Sequence, residues 1–199
     1  MGQFGVADIS PDEQLALLLR QRLQQPERTA EIDAEIRDRF LQTQAIVVLD
    51  MVGFSRQTQG QGIIYTLQEI YRLRDIAVPL LEKQGGRVFK VEADNVYAVF
   101  ADADAALHAT NHLLTHLNIA NLHASVGIGY GDVLVVGDRD LYGNEMNLAS
   151  KLGEDIAGDD EILLTESAHN FLVESAHRFD VFTHEISGVT LTIYQLQRS

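Results

Sequence analysis

The run Ala45-Ile-Val-Val-Leu49 is apolar at every position and is followed by Asp50-Met51. Strands with one wet face alternate apolar and polar residues, so an unbroken run rich in β-branched residues is the pattern of a buried strand. Ala45–Met51 therefore reads as a buried central strand, in a sheet expected to carry its helices on one face, and it places a carboxylate at its end. A second carboxylate, Asp94, falls in a comparable place. Arg87–Ala93 and Val96–Ala101 read as a hairpin turning at Asp94-Asn95.

Around these elements, strand-like and helix-like patterns alternate. Ile63–Lys83 reads as a long helix that absorbs Pro79 and stops at Gly85-Gly86, and Ala103–Leu117 as another. Leu122–Tyr130 and Val133–Val136 read as strands joined around Gly131-Asp132. Asn144–Ile156 is helical, followed by strand Ile162–Thr165, helix Glu166–Val173 and a closing hairpin of Phe179–His184 with Thr190–Leu196. The order begins β-α-β-β-α-β, the split unit of ferredoxin-like folds. It predicts an α+β domain, a ferredoxin-like βαββαβ core extended to a mainly antiparallel sheet of roughly seven or eight strands with flanking helices. In that topology the first strand lies beside the hairpin, so Asp50 and Asp94 meet at one sheet edge. This domain is expected over residues 45–199. Residues 1–44 read as an N-terminal helical appendage, with Ser10 capping a helix over Pro11–Gln25 and a second helix over Thr29–Leu41 after Pro26. The pattern does not say whether the appendage packs on the domain or on a second copy.

Composition narrows the function. A chain of 199 residues, 46% hydrophobic with 3 prolines, has enough apolar material for a core and too much for disorder. The absence of cysteine excludes disulfides and thiolate metal sites. With a net charge of -14 and only 15 scattered Lys and Arg, the chain lacks a groove for tracking phosphates, so no nucleic acid is expected as a partner. No segment reaches the ~18 apolar residues of a membrane helix, and the N-terminus lacks the features of a signal peptide. The expectation is a cytoplasmic, soluble protein with no membrane partner. There is no P-loop motif. His108, His112 and His116 have a spacing that can hold a metal, but Ala106, Thr110, Leu113, Leu114 and Leu117 mark the buried face of that helix, and the histidines read as a solvated stripe.

Two strand-end carboxylates brought together can clamp paired divalent cations on a nucleoside triphosphate. Taken singly, Asp50 reads equally well as a turn cap and Asp94 as a hairpin-tip residue. Four blocks in register supply the context: Leu49-Asp-Met-Val-Gly-Phe-Ser55, Gly85-Gly-Arg-Val-Phe-Lys-Val-Glu-Ala-Asp94, Val126-Gly-Ile-Gly-Tyr-Gly131 and Asp140-Leu-Tyr-Gly-Asn-Glu-Met-Asn-Leu-Ala-Ser-Lys151. Together they resemble the catalytic domain of class III adenylate and guanylate cyclases, over roughly Ala45 to Leu196.

The resemblance implies a reaction, the conversion of ATP to 3′,5′-cyclic AMP and pyrophosphate, and a role for each residue. Asp50 and Asp94, with the carbonyl of Met51, would hold two Mg²⁺ or Mn²⁺ ions. The N–H groups of Val52, Gly53, Phe54 and Ser55 would cradle phosphate ahead of a helix. Lys90 and Asp140 match the pair that reads adenine, which points to ATP as substrate. Asn147 would orient the ribose, and Lys151, one turn on, stands where a transition-state Arg is usual. In this family two domains share each site. A homodimer would pair Asp50 and Asp94 of one protomer with Lys90, Asp140, Asn147 and Lys151 of the other.

Two positions depart from the pattern. Lys151 is a flexible point charge where a rigid guanidinium fork is usual, and Ser187, in Glu185-Ile-Ser-Gly188, replaces a usual Lys. They keep open a catalytically weak or inactive nucleotide-binding or dimerisation module. A cyclase using GTP or a pyrimidine triphosphate is the other alternative. Glu92, two residues after Lys90, either alters the base pocket or faces solvent.

Overall fold

Ser10 accepts a hydrogen bond from the Glu13 amide at 3.3 Å while the Glu13 carboxylate reaches back to the Ser10 amide at 3.0 Å. This reciprocal cap starts helix α1 (Pro11–Gln24). A turn of 3₁₀ helix over Pro26–Arg28 leads into α2 (Thr29–Phe40), and Arg22 pairs with Asp33 across the two helices at 2.5 Å. The computed structural model describes residues 9–138, 140–173, 177–186 and 188–198, with side chains at all of these except 55–57 and 186.

The rest of the chain builds one sheet. Its strands are β1 (Leu41–Met51), β2 (Arg87–Glu92), β3 (Asn95–Phe100), β4 (Ala124–Val136), β5 (Asp140–Tyr142), β6 (Ile162–Thr165), β7 (Phe179–Ile186) and β8 (Val189–Leu196). They run in the order β2-β3-β1-β4-β6-β8-β7, with β5 paired to the far end of β4. Only β4 and β6 pair in parallel. Between the strands lie α3 (Phe54–Gln61), α4 (Ile63–Lys83), α5 (Ala103–Ile119), α6 (Asn144–Ser150) and α7 (Glu166–Asn170). The architecture is the expected α+β one, a mostly antiparallel eight-stranded sheet with flanking helices.

Alternation along β1 sorts the core. Val47, Leu49 and Met51 face α4 and α5, where they meet Leu73, Leu81, Leu107 and Leu114. Ile46 and Val48 face the opposite side and pack with Val99, Val133 and Ala149. Both sides of β1 are therefore covered, which corrects the expectation of helices on one face: α6 brings Ala149 against Ile46 and Val48 on the second. The N-terminal helices fold back on the domain, with Leu15, Leu18, Ile32, Ile36 and Phe40 packing against Leu134 and Val136 of β4.

Three further expectations need correction. The turn expected at Gly131-Asp132 does not exist. β4 runs through it unbroken, paired to β1 from Met51↔Ala124 to Leu41↔Leu134, and Thr43 donates to Asp132 at 2.5 Å. The glycines of this stretch serve close packing instead. A Cβ on Gly127 would lie 2.1 Å from the Ala149 carbonyl oxygen, and one on Gly129 would lie 2.6 Å from that of Glu145, so only bare backbone lets α6 lie on the strand. Second, β1 begins at Leu41, because its polar first residues pair with the outer half of β4. Third, the helix expected over Asn144–Ile156 changes character halfway. Past Ser150 it becomes a π-helical segment, Lys151–Ile156. Here Gly153 is pressed onto the sheet, where a Cβ would meet the Val48 carbonyl oxygen at 2.7 Å.

Among the described residues, no helix is long and apolar enough to cross a membrane.

Candidate active site

The central strands bring the two aspartates together. Asp50 faces Asn95 across the β1–β3 ladder and Ser125 across the β1–β4 ladder. Asp94, at the tip of the β2–β3 hairpin, accepts a hydrogen bond from the Met51 amide at 3.3 Å. Asp50 and Asp94 line a cleft of about 510 Å³ with Met51, Val52, Gly53 and Phe54. Glu154 and Asp159, from the π-helical segment and the loop after it, line it too. Burial pushes the Asp50 carboxyl up to about 7, and the neighbouring charges of Asp94 and Glu154 push in the same direction.

Crowded carboxylates of this kind repel one another, and a bound cation would relieve that repulsion. Among the described residues, no group of three or more His, Cys, Asp or Glu side chains is assembled as a metal cage. What the cleft offers is the carboxylates of Asp50 and Asp94, those of Glu154 and Asp159 at its wall, and the main chain of Met51. Beside them, the Oδ1 of Asn95 is buried with no partner among the described atoms. All are hard oxygen donors, the chemistry that suits Mg²⁺ or Mn²⁺, and such ions take their remaining ligands from water and substrate phosphates. The residues fit the group.

The turn after β1 needs one revision. The Val52 amide is spent on the His123 carbonyl at 3.0 Å, so it is not free for a phosphate. Gly53, at φ 89, turns the chain into α3, which no described side chain caps. The first amides of a helix have no partner within it, so those of Gly53, Phe54 and Ser55 remain at the cleft's rim. The side chain of Ser55 lies outside the described side chains.

The hairpin tip is held under strain. Ala93, just before Asp94, has φ 46, in the left-handed region that favours glycine. A non-glycine residue there costs about 1 kcal/mol. Ala93→Gly is therefore expected to raise stability by about that amount, read as a higher denaturation midpoint at unchanged slope.

The remaining expected site residues do not line this cleft. Lys90 sits on β2 with its ammonium 5.6 Å from the centre of the Tyr97 ring. It forms an ion pair with Glu92, whose side chain is exposed. The Glu92 carboxylate raises the Lys90 pKa, and the Asp140 charge adds to the effect. Asp140 lies on β5, opposite Val136 of β4. Asn147 is exposed on α6. Lys151, also exposed, donates to Asp155 at 2.8 Å, and that bond raises its pKa. Ser187 lies outside the described residues.

Sequence reading missed Glu154, Tyr97 and Glu145. Tyr97 donates to Glu154 at 3.0 Å and accepts from Asn95 at 3.1 Å, which ties the acidic segment to the strand beside Asp50. Glu145 staples α6 in place by accepting from the Tyr130 amide at 3.2 Å and the Thr165 hydroxyl at 2.7 Å. None belongs to a local pattern, since each works through a contact distant in sequence. A separate cavity of about 430 Å³ lies between α6, α7 and β8 and holds none of the expected residues. The three histidines of α5 are exposed and hold no metal cluster among the described residues.

The sheet order, the carboxylate pair at the end of its central strands and the helix laid on a glycine-lined strand define a class. The chain has the catalytic-domain fold of the class III nucleotidyl cyclases. Adenylyl cyclase CyaB from P. aeruginosa superposes with a TM-score of 0.68 at 20% identity, over 80% of this chain and 96% of that one. The adenylate/guanylate cyclase/hydrolase from Silicibacter pomeroyi gives 0.68 at 22% identity, over 80% and 98%. The guanylate cyclase domain of RhGC from Catenaria anguillulae, in complex with GTP, gives 0.67 at 15% identity, over 78% and 96%. In sequence, the chain resembles "Putative adenylate cyclase 3" of Rhizobium meliloti (strain 1021), with 28% identity over 137 residues. That match covers 64% of this chain and 23% of the relative, so the chain spans about a quarter of that protein's length. No family model matches the sequence.

Proposed function

We propose that the protein is a nucleotidyl cyclase that converts ATP to 3′,5′-cyclic AMP and pyrophosphate at sites shared by a homodimer. The observation that carries this reading is the cleft in which Asp50 and Asp94 crowd together, with Asp50 held up to about 7 by burial and by like charge. In the reaction the ribose 3′-oxygen bonds to the α-phosphorus, the bond from that phosphorus to the β-phosphate oxygen breaks, and pyrophosphate leaves. Divalent metal held at the cleft would supply acidity to the 3′-hydroxyl, whose proton passes to water or to the substrate's own phosphate, and charge neutralisation to the triphosphate.

The chain's own residues do the rest. Asp50, Asp94 and the Met51 carbonyl hold the cations. The amides at the start of α3 receive phosphate oxygens. Lys90 donates to the adenine ring and Asp140 accepts from its amino group, an arrangement that leaves buried groups unpaired against guanine. Asn147 orients the ribose, and Lys151 meets charge that develops on the phosphates. The homodimer rests on one observation: Lys90, Asp140, Asn147 and Lys151 do not line the cleft of their own chain. A two-fold partner would bring the second set to the first.

Product formation from ATP, GTP, CTP and UTP with Mn²⁺ or Mg²⁺ tests the reading. Cyclic AMP from ATP is expected, and a different cyclic nucleotide as the main product would overturn the base assignment. The Lys151–Asp155 ion pair favours a second reading, a nucleotide-binding module with little turnover. Calorimetry that finds triphosphate binding without product would select it. If Asp155 restrains a working Lys151, Asp155→Asn raises kcat at unchanged KM. The gain is at most a few-fold, because exposed helical ion pairs are weak.

A further inference from the structure

We propose, resting on the metal-site reading above, that Arg74 of α4 is the positioning residue for Asp94. Its guanidinium donates to the carbonyl of Ala93, the residue immediately before Asp94. The same guanidinium carbon lies 5.2 Å from the centre of the Tyr71 ring, one helical turn back, and its Nε is buried with no partner among the described atoms. The head group, itself only half-buried, is thus engaged by the hairpin.

The tip it holds does not hold itself. Ala93 adopts φ 46, a conformation that side chains with a Cβ rarely keep unaided. On the other side of the tip, the Asp94 carbonyl is tied to the Met51 amide at 3.3 Å. Asp94 is therefore bracketed by two anchors, one to β1 and one to α4, and only the anchor to α4 depends on a side chain. Nothing in the local sequence of α4 marks Arg74 for this task. Removing it lets Ala93 relax toward an ordinary conformation and carries the Asp94 carboxylate away from Asp50.

The test is Mn²⁺ binding to the full chain, followed by electron paramagnetic resonance, with circular dichroism and melting on the same samples. Arg74→Ala is expected to weaken Mn²⁺ binding about tenfold, the scale on which residues supporting a metal ligand act. Arg74→Lys recovers part of the loss. Adding Ala93→Gly to Arg74→Ala recovers most of it, because glycine takes positive φ without help. A purely structural arginine would lower the melting temperature and leave Mn²⁺ affinity alone. A folded Arg74→Ala variant with wild-type affinity overturns the proposal, as does failure of Ala93→Gly to restore binding. If Arg74→Ala does not fold, the same comparison is made in Arg74→Lys with and without Ala93→Gly. Asp50→Asn separates this from the reading beneath it. If wild type and Asp50→Asn bind Mn²⁺ equally, the metal site itself is wrong and the Arg74 proposal falls with it.

Discussion

Asp50→Asn is expected to abolish cyclase activity and, in the absence of metal, to make the protein more stable at neutral pH. The two effects have one cause. Metal-assisted charge stabilisation in such reactions amounts to several kcal/mol, which at about 1.4 kcal/mol per tenfold is a loss on the order of 10³ in kcat. An amide keeps the shape of the carboxylate but not its charge. An unaltered rate would remove Asp50 from the metal site.

The stability effect follows from the direction of the pKa shift. The Asp50 carboxyl is pushed up to about 7 in the folded protein, whereas an unfolded aspartate titrates near about 3.9. Between those values the folded state holds a proton that the unfolded state has lost, so stability falls as pH rises through this window. Above it, a half-buried carboxylate beside Asp94 and Glu154 is destabilising. Because the cleft is open to solvent, the full shift overstates the cost, and about 1–2 kcal/mol is the reasonable size. For a chain of this length that is roughly 3–6 °C in Tm. Metal-free wild type should melt below Asp50→Asn at pH 8 and alongside it near pH 4. Saturating Mn²⁺ should reverse the order at pH 8, because only the wild type gains. Equal melting curves at pH 8 without metal would mean that Asp50 carries no electrostatic strain.

The same balance explains which features could be read from the residues alone. Ala45–Met51 announced itself because burial on both faces leaves an uninterrupted apolar run, and Ile63–Lys83 because a long amphipathic period survives Pro79. Asp50 was legible because it stands at the end of that run, and Asp94 because it falls at the turn of a hairpin. The polar start of β1 at Leu41–Gln44 was hidden, since it pairs beyond the core and needs no apolar residues. So was α3, whose Phe54–Gln61 is polar almost throughout. Glu154 entered the cleft through Tyr97, a contact between residues far apart in sequence. Its π-helical segment coincides with the close approach of Gly153 to the Val48 backbone, another contact between residues far apart in sequence.

The glycines of β4 misled in a more instructive way. Glycine in a strand marks either a turn or a place where another backbone comes close, and the residues around Gly131 do not distinguish the two. Gly127 provides the decisive test. Its Cα pairs with Val48 of β1 on one side and Leu163 of β6 on the other, so the strand cannot shift. A Cβ there would meet the Ala149 oxygen at 2.1 Å and the Gly153 nitrogen at 2.6 Å, both backbone atoms that cannot swing aside. The helix must lift instead. Overpacking of this kind costs about 3 kcal/mol or more, so Gly127→Ala is expected to lower Tm by roughly 10 °C. Gly131→Ala is the contrast, because its Cβ would meet only the Glu145 side chain, Cγ at 3.0 Å and Cβ at 3.9 Å, which gives way more easily than backbone at the cost of its bonds to Tyr130 and Thr165. Gly60→Ala is the control. It points into open space within α3 and should be neutral or slightly stabilising. The consequence for chemistry is equally specific. Lifting α6 moves Asn147 and Lys151 together while leaving Asp50 and Asp94 on their strands. Gly127→Ala, assayed below its melting temperature, should keep Mn²⁺ binding and lose kcat. Loss of both together would mean that the helix supports the metal cleft as well, through Glu154 and its bond to Tyr97.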